Sequence, residues 1–279
     1  MSSDDGHLHP PRFGPFITFI EAERPNGLLT RLDSRHYRKQ VASGPASGST
    51  WWAPRTRGWW IGVLFGVGAA LFAVGVVPGY LDGVGLRSDA VTLFIGSLFF
   101  TAAGFLQYRE AVDALPPPAL SAPVLPAPGA PPLRRHRVLT WRPRRIDWSA
   151  TAIQLIGTLC FNLSTGYAIE TSLTAQGAHR YVWRPDAVGS VCFLVASALA
   201  WFEVCHGWTS WSPRSLSWWI TLLNLIGSVA FAVSAVAGYI VVSTGELLNV
   251  ELSNLGTFFG ALCFLGGAVL LLPERTVGI

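Results

Sequence analysis

The sequence predicts an all-α integral membrane protein with six transmembrane helices, arranged as three parallel two-helix hairpin repeats. Three observations support this fold class: a mean hydropathy of +0.41 with only 13% charged residues, six apolar stretches of membrane length, and an internal similarity that recurs three times. A soluble domain with so few charged residues could not cover its surface with polar groups. We therefore expect the chain to be embedded in a membrane.

The apolar stretches are long enough to cross a bilayer, because about 20 apolar residues in a helix span its hydrocarbon core of roughly 30 Å. The predicted spans are 58–80, 89–108, 148–169, 186–205, 216–240 and 252–272. Seventeen of the 20 Lys and Arg residues then lie on one side of the membrane. The positive-inside rule predicts that both termini are cytoplasmic, and we expect a multi-pass protein of the cell inner (plasma) membrane.

The spans divide the chain into three hairpins and the segments between them. Near the N-terminus, FITFI and LLTRL flank the turn sequence Arg24-Pro25-Asn26-Gly27, which predicts a small β-hairpin. The predicted parts are an N-terminal cytoplasmic segment (1–57), transmembrane hairpin 1 (58–108), a Pro-rich and basic cytoplasmic linker (109–147), hairpin 2 (148–205), a cytoplasmic loop (206–215), hairpin 3 (216–274) and a cytoplasmic tail (275–279).

Residues of the same type recur at equivalent positions of the three hairpins. They are glycine and phenylalanine in the first helices (Gly68, Gly157, Gly227; Phe72, Phe161, Phe231), glycine and phenylalanine in the second helices (Gly96, Gly189, Gly260; Phe100, Phe193, Phe264), and a terminal glutamate (Glu110, Glu203, Glu274). Small residues on one helix face let two backbones approach closely, and Phe fills the neighbouring space. Because two-helix units preserve orientation, rotation about an axis near the membrane normal should relate the hairpins.

The hairpin sequences, such as QLIGTLCFNLST and NLIGSVAFAVSA, resemble the YrhK-like family of small bacterial membrane proteins and its multi-hairpin relatives. The resemblance covers the six helices and leaves out the N-terminal segment and the Pro-rich linker. That family has no established biochemical activity. The resemblance therefore implies a bacterial membrane protein and a hairpin architecture, and it transfers no catalytic residue.

Neutral polar side chains inside the predicted spans are one candidate site, since each needs a partner or a water-filled space. They are Gln154, Thr158, Asn162, Asn224, Ser228 and Asn254. Interhelical hydrogen bonds are the favoured interpretation, and a polar path for a solute is the alternative.

The terminal glutamates Glu110, Glu203 and Glu274 are the second candidate site. If the hairpins pack around one axis, these carboxylates gather at the cytoplasmic mouth as a ring of the kind that selects cations. In the favoured alternative, each glutamate caps its hairpin or pairs with a nearby arginine. The arginines expected as partners are Arg57, Arg145 and Arg214.

The sequence predicts a non-enzymatic membrane protein that acts through helix packing or through assembly with proteins or lipids. No motif for a catalytic nucleophile, a nucleotide or a metal is found, so no enzyme activity and no cofactor are expected. The net charge of +4 reflects basic cytoplasmic flanks and predicts no nucleic-acid partner. Membrane lipid is the expected partner, with a homo-oligomer or an unidentified membrane partner left open. A passive channel or transporter for a small solute or cation is the alternative function.

Overall fold

Most of the chain that the computed structural model describes is helical. The described residues are 12–13, 16–17, 19–23, 29–33, 35, 38–39, 51–114, 140–208 and 210–274. The helices are α1 (Arg57–Gly75), α2 (Pro78–Val84), α3 (Leu86–Asp113), α4 (Ile146–Ala168), α5 (Ala175–Ala178), α6 (Arg184–Cys205), α7 (Leu216–Ala237) and α8 (Val250–Glu274). A five-residue π-helical turn, His179–Trp183, joins α5 to α6, so that Ala175–Cys205 is continuously helical.

Five of these helices are long and apolar enough to cross a membrane. They are Arg57–Gly75, Leu86–Asp113, Ala175–Cys205, Leu216–Ala237 and Val250–Glu274. The prediction of a helical, multi-pass membrane protein therefore agrees with the structure. Helix α4 occupies the third predicted span and has 23 residues, but Gln154, Asn162 and several hydroxyl side chains lower its hydropathy, and it does not belong to these five.

The described strands lie in the N-terminal segment, outside the helical part of the chain. Strand β1 (Arg12–Phe13) pairs antiparallel with β2 (Phe16–Ile17), and β3 (Phe19–Glu23) pairs antiparallel with β4 (Leu29–Asp33). The sequence places one hairpin over 16–20 and 28–32. In the structure the longer hairpin starts at residue 19, because residues 16–17 pair instead with the preceding strand.

The six long helices form a closed ring in which each helix packs mainly against two neighbours. The order around the ring is α1, α3, α4, α6, α7, α8 and back to α1. Three helix pairs, α1 with α3, α4 with α6, and α7 with α8, are consecutive long helices of the chain. The outside of the ring carries large exposed apolar side chains from all six helices, including Val67, Leu98, Ile156, Val191, Val229 and Leu262. Apolar exposure on this scale fits a surface that faces lipid.

The two helices of each pair touch where one glycine faces another. The facing glycines are Gly68 with Gly96, Gly157 with Gly189, and Gly227 with Gly260. A Cβ atom on Gly68 would lie 2.9 Å from the carbonyl oxygen of Gly96, and one on Gly227 would lie 3.0 Å from that of Gly260. Any side chain at these positions would therefore push the two backbones apart.

Six phenylalanine side chains fill the centre of the six-helix bundle, where they form two stacked triangles. Phe72, Phe161 and Phe231, from the first helices of the pairs, have ring centroids 6.1–6.4 Å apart. Phe100, Phe193 and Phe264, from the second helices, have centroids 5.6–6.1 Å apart. Within each pair the two rings are 5.1–5.5 Å apart. These distances are typical of packed aromatic pairs, so the phenylalanines close the centre of the bundle.

Gly68→Ala should destabilise the protein by about 1–3 kcal/mol, because its Cβ would collide with a backbone carbonyl and with the Phe100 ring. Gly66→Ala is the matched control in the same helix, since its nearest neighbours would lie at an ordinary 3.8 Å. Thermal unfolding of the two variants in detergent, followed by circular dichroism, measures the difference. Equal melting temperatures would contradict the close contact between α1 and α3.

Candidate functional site

Three cationic side chains of the N-terminal segment reach one end of the helical bundle. Arg35, Arg38 and Lys39 have helical backbone, and the spacing i, i+3 and i+4 puts them on the same face. Both arginines are buried, and Lys39 is half-buried. Burial of two guanidinium groups is costly unless carboxylates surround them.

The carboxylates that surround these cations come from all three helix pairs. Glu110 lies in the last turn of α3, Glu203 in the last turn of α6, and Glu274 at the end of α8. All three are buried, and so is Asp147 at the start of α4. A carboxylate near a helix C-terminus is disfavoured by the helix dipole, which makes a nearby cation more stabilising there.

Arg38 is the centre of this ion cluster. Its Nη1 lies 3.1 Å from Glu203 Oε1 and 3.2 Å from Asp147 Oδ2, and its Nε lies 3.6 Å from Glu110 Oε1. A second guanidinium nitrogen donates to Glu203 Oε2 at 3.5 Å, so this pair is bidentate. Burial opposes the charged form of Arg38, but the carboxylates of Glu203, Asp147 and Glu110 outweigh it and raise the pKa of the guanidinium. The side chain is therefore held as a cation.

Arg35 and Lys39 extend the cluster to the third helix pair. Arg35 Nε donates to Glu274 Oε1 at 2.8 Å, and the Ser217 hydroxyl donates to the same oxygen at 2.8 Å. Lys39 Nζ lies 3.1 Å from Glu110 Oε1 and 3.7 Å from Glu274 Oε2. One short segment thus links the carboxylate ends of all three helix pairs.

The ring hypothesis and its alternative each describe part of this geometry. The structure brings Glu110, Glu203 and Glu274 together, as the ring requires, and it pairs them with cations, as the alternative requires. The cations differ from those expected: Arg57 pairs with Asp113 at 2.9 Å, and Arg145 donates to Asp147 at 3.1 Å. The signal that sequence reasoning missed is the match between three glutamates at equivalent hairpin positions and three cations spaced i, i+3 and i+4.

Two of the predicted intramembrane polar residues line a small internal cavity beside the ion cluster. Gln154 and Asn224 share this space of about 30 Å³ with Arg35 on one side and Phe264 on the other. The remaining polar lining comes from Gln107, Ser197 and Thr221. A space of this size has room for about two water molecules.

The other predicted polar residues lie outside the lining of that cavity. Asn162 donates to Thr101 Oγ1 at 2.9 Å, a bond between α4 and α3. Ser228 shares a 2.8 Å hydrogen bond with Ser197, between α7 and α6. The structure thus contains interhelical hydrogen bonds of the favoured kind at these two positions.

Thr158 and Asn254 neither line the cavity nor form one of these two interhelical hydrogen bonds. Thr158 donates to the carbonyl of Leu155 in its own helix at 2.8 Å. Asn254 is half-buried near the start of α8, at the end of the bundle opposite the ion cluster. Apart from Gln154 and Asn224, which share one cavity, the six residues lie at separate positions along the bundle.

Comparison with protein-family models, with curated proteins and with solved structures found no match. Among the described residues, no group of three or more His, Cys, Asp or Glu side chains is arranged to hold a metal ion.

Arg38→Met should lower the free energy of unfolding by about 3–5 kcal/mol, because the buried carboxylates would lose the cation that they share. The shift of the thermal unfolding transition in detergent measures this loss. Arg87→Met removes the same charge from an exposed side chain at the other end of the bundle and should cost less than about 0.5 kcal/mol. Similar shifts for the two variants would contradict the central role of Arg38.

Proposed function

We propose that this protein is a non-enzymatic anchor of the cell inner (plasma) membrane that holds its own N-terminal segment at the cytoplasmic face, where it assembles with proteins or lipids. The observation that carries the proposal is the buried ion cluster, in which Arg35, Arg38 and Lys39 meet the carboxylates of all three helix pairs. The YrhK-like resemblance and a bacterial origin belong to the same proposal.

The proposed architecture is six transmembrane helices formed by three parallel hairpin repeats. Helix α4 is about 35 Å long and packs between α3 and α6, which are both apolar enough to span. A helix enclosed by two spanning neighbours is expected to cross at the same depth. The recurring glycine contacts, phenylalanine triangles and terminal glutamates support the relation between the three hairpins.

The proposed orientation places the ion cluster on the cytoplasmic side. Of the described Lys and Arg residues at the two ends of the bundle, ten lie at the end with the cluster, including the exposed Arg55, Arg144 and Arg214, and three lie at the opposite end. The opposite end carries exposed glutamates at positions 170, 246 and 251. Because cytoplasmic flanks of membrane helices are enriched in Lys and Arg, the end with the cluster is expected to face the cytoplasm.

The anchoring role follows from the energetics of the cluster. Release of the N-terminal segment would leave four buried carboxylates without three of their cations, which is strongly unfavourable. These buried carboxylates are all engaged in ion pairs with the N-terminal cations. A firmly held segment and engaged carboxylates favour a role in assembly.

A passive path for a small solute or cation is the second candidate function. The cavity lined by Gln154 and Asn224 favours it, because the cavity lies between the carboxylates and the centre of the bundle. The cation Arg35 and the ring of Phe264 both line this cavity. Conduction would need both to move.

Glu110→Gln, Glu203→Gln and Glu274→Gln together should release the N-terminal segment. Trypsin cleaves after Arg and Lys, so cleavage after Arg35, Arg38 and Lys39 reports this release. With the cluster intact these sites are buried, and loss of the three charges should raise their cleavage rate by about 100-fold or more in detergent-solubilised protein. Mass spectrometry of the fragments gives the rate at each site.

The matched control removes three exposed glutamates at the other end of the bundle, by Glu170→Gln, Glu246→Gln and Glu251→Gln. Its cleavage pattern should match that of the unchanged protein. Circular dichroism of both triple variants establishes that the helices remain folded. Equal protection of residues 35–39 in all three proteins would overturn the anchoring proposal.

The second candidate function predicts a cation flux through the protein in liposomes. Arg35→Gln should increase that flux by opening the side of the cavity that Arg35 lines, and the triple glutamate-to-glutamine variant should abolish its cation selectivity. Ion-sensitive dyes inside the liposomes measure both effects. Flux that equals that of empty liposomes in every variant would exclude the path and leave the anchor as the function.

A further inference from the structure

The first helix of each pair is preceded by the same short motif, Trp-x-Pro-Arg-x-x-x-Trp. The three copies are 52–59, 141–148 and 211–218. Each copy runs from a loop into the first turn of α1, α4 or α7. We call them the three Trp-Pro-Arg turns.

The three turns share one backbone and ring geometry. In each, an amide donates to the carbonyl three residues earlier at 3.0 Å: Thr56 to Ala53, Arg145 to Arg142, and Ser215 to Ser212. The first tryptophan of each turn packs edge-on against the second, with ring centroids 5.1, 5.2 and 5.2 Å apart at 73°, 72° and 72°. The turns are therefore built features that recur around the bundle.

Each turn presents one tryptophan and one arginine outward. Trp52 is 69% exposed, and Trp141 and Trp211 are each 81% exposed, although tryptophan is usually well buried. The arginines that follow, Arg55, Arg144 and Arg214, are also exposed. Among the ion pairs of the described residues, none includes these three arginines.

We propose that the three Trp-Pro-Arg turns are binding sites for the headgroups of anionic phospholipids in the cytoplasmic leaflet. Tryptophan prefers the headgroup level of a bilayer, and a guanidinium binds phosphate oxygens in a bidentate manner. Both side chains stand at the ends of apolar helices, where headgroups lie. This proposal rests on the proposed function, because it requires the six-helix bundle to span the membrane with the ion cluster at the cytoplasmic face.

The anionic character of the lipid follows from the charges at this end of the bundle. The cations of the ion cluster are engaged with buried carboxylates, whereas the arginines of the turns are exposed to the surroundings. Arginines near a membrane surface are attracted to anionic lipids. Three equivalent turns predict three equivalent lipid sites, one for each helix pair.

The test compares binding of phosphatidylglycerol and phosphatidylcholine to the detergent-solubilised full chain by native mass spectrometry. The unchanged protein should bind up to three phosphatidylglycerol molecules in preference to phosphatidylcholine. Each of the single changes Arg55→Gln, Arg144→Gln and Arg214→Gln should weaken this preference by about fivefold. The triple variant of the turns combines all three changes. The matched control, Arg87→Gln with Arg180→Gln and Arg184→Gln, removes three exposed arginines from the opposite end and should keep the preference.

A triple variant of the turns that keeps the phosphatidylglycerol preference would overturn the lipid proposal, as would an equal loss in the control. Capture of a protein partner by the turns, with no lipid preference, would also overturn it. Extraction of each variant from vesicles with alkaline carbonate separates this result from failure of the proposed function. Retention in the vesicles supports the membrane-spanning bundle, whereas release of the unchanged protein would overturn that architecture.

Discussion

The structure depends on the neutralisation of carboxylates that three helix pairs bury at one end of the bundle. Glu110, Glu203 and Glu274 lie at helix C-termini, where the helix dipole and burial both act against a negative charge. Without cations these ends would repel one another and separate. Arg38 contacts three carboxylates from different helices, so the position of one side chain couples α3, α4 and α6.

The centre of the bundle shows how a few residue types produce a closed packing. Facing glycines bring two helices into backbone contact, which leaves the larger phenylalanines no space between the helices and directs them to the axis. Three such pairs supply six rings that pack against one another at the axis. Polar contacts between helices form beside these rings, as in the bonds of Asn162 and Ser228.

Hydropathy and residue spacing, which are local patterns in the sequence, predicted the helices and the residues of their core. Hydropathy located five helices that are apolar enough to span, and glycine and phenylalanine spacing located the residues of the core. The partners of the glutamates were missed because the Arg35–Lys39 stretch has no apolar periodicity and lies far away in the chain. The sequence analysis did not identify the Trp-Pro-Arg turns, since their common backbone geometry depends on hydrogen bonds that composition does not reveal.

The separation of the ion partners along the chain has a consequence for the order of events during synthesis. Arg35 pairs with Glu274, which is 239 positions later, so this contact can form only after all three helix pairs have been made. Contacts between distant parts of a chain form slowly, because a long loop must close first. Arg38 and Lys39 can meet Glu110 once the first pair is made, whereas the contact of Arg35 with Glu274 must wait for the last pair. The three cations can therefore dock together only on a bundle in which every helix pair is in place. The completion of assembly is thus linked to a single local event.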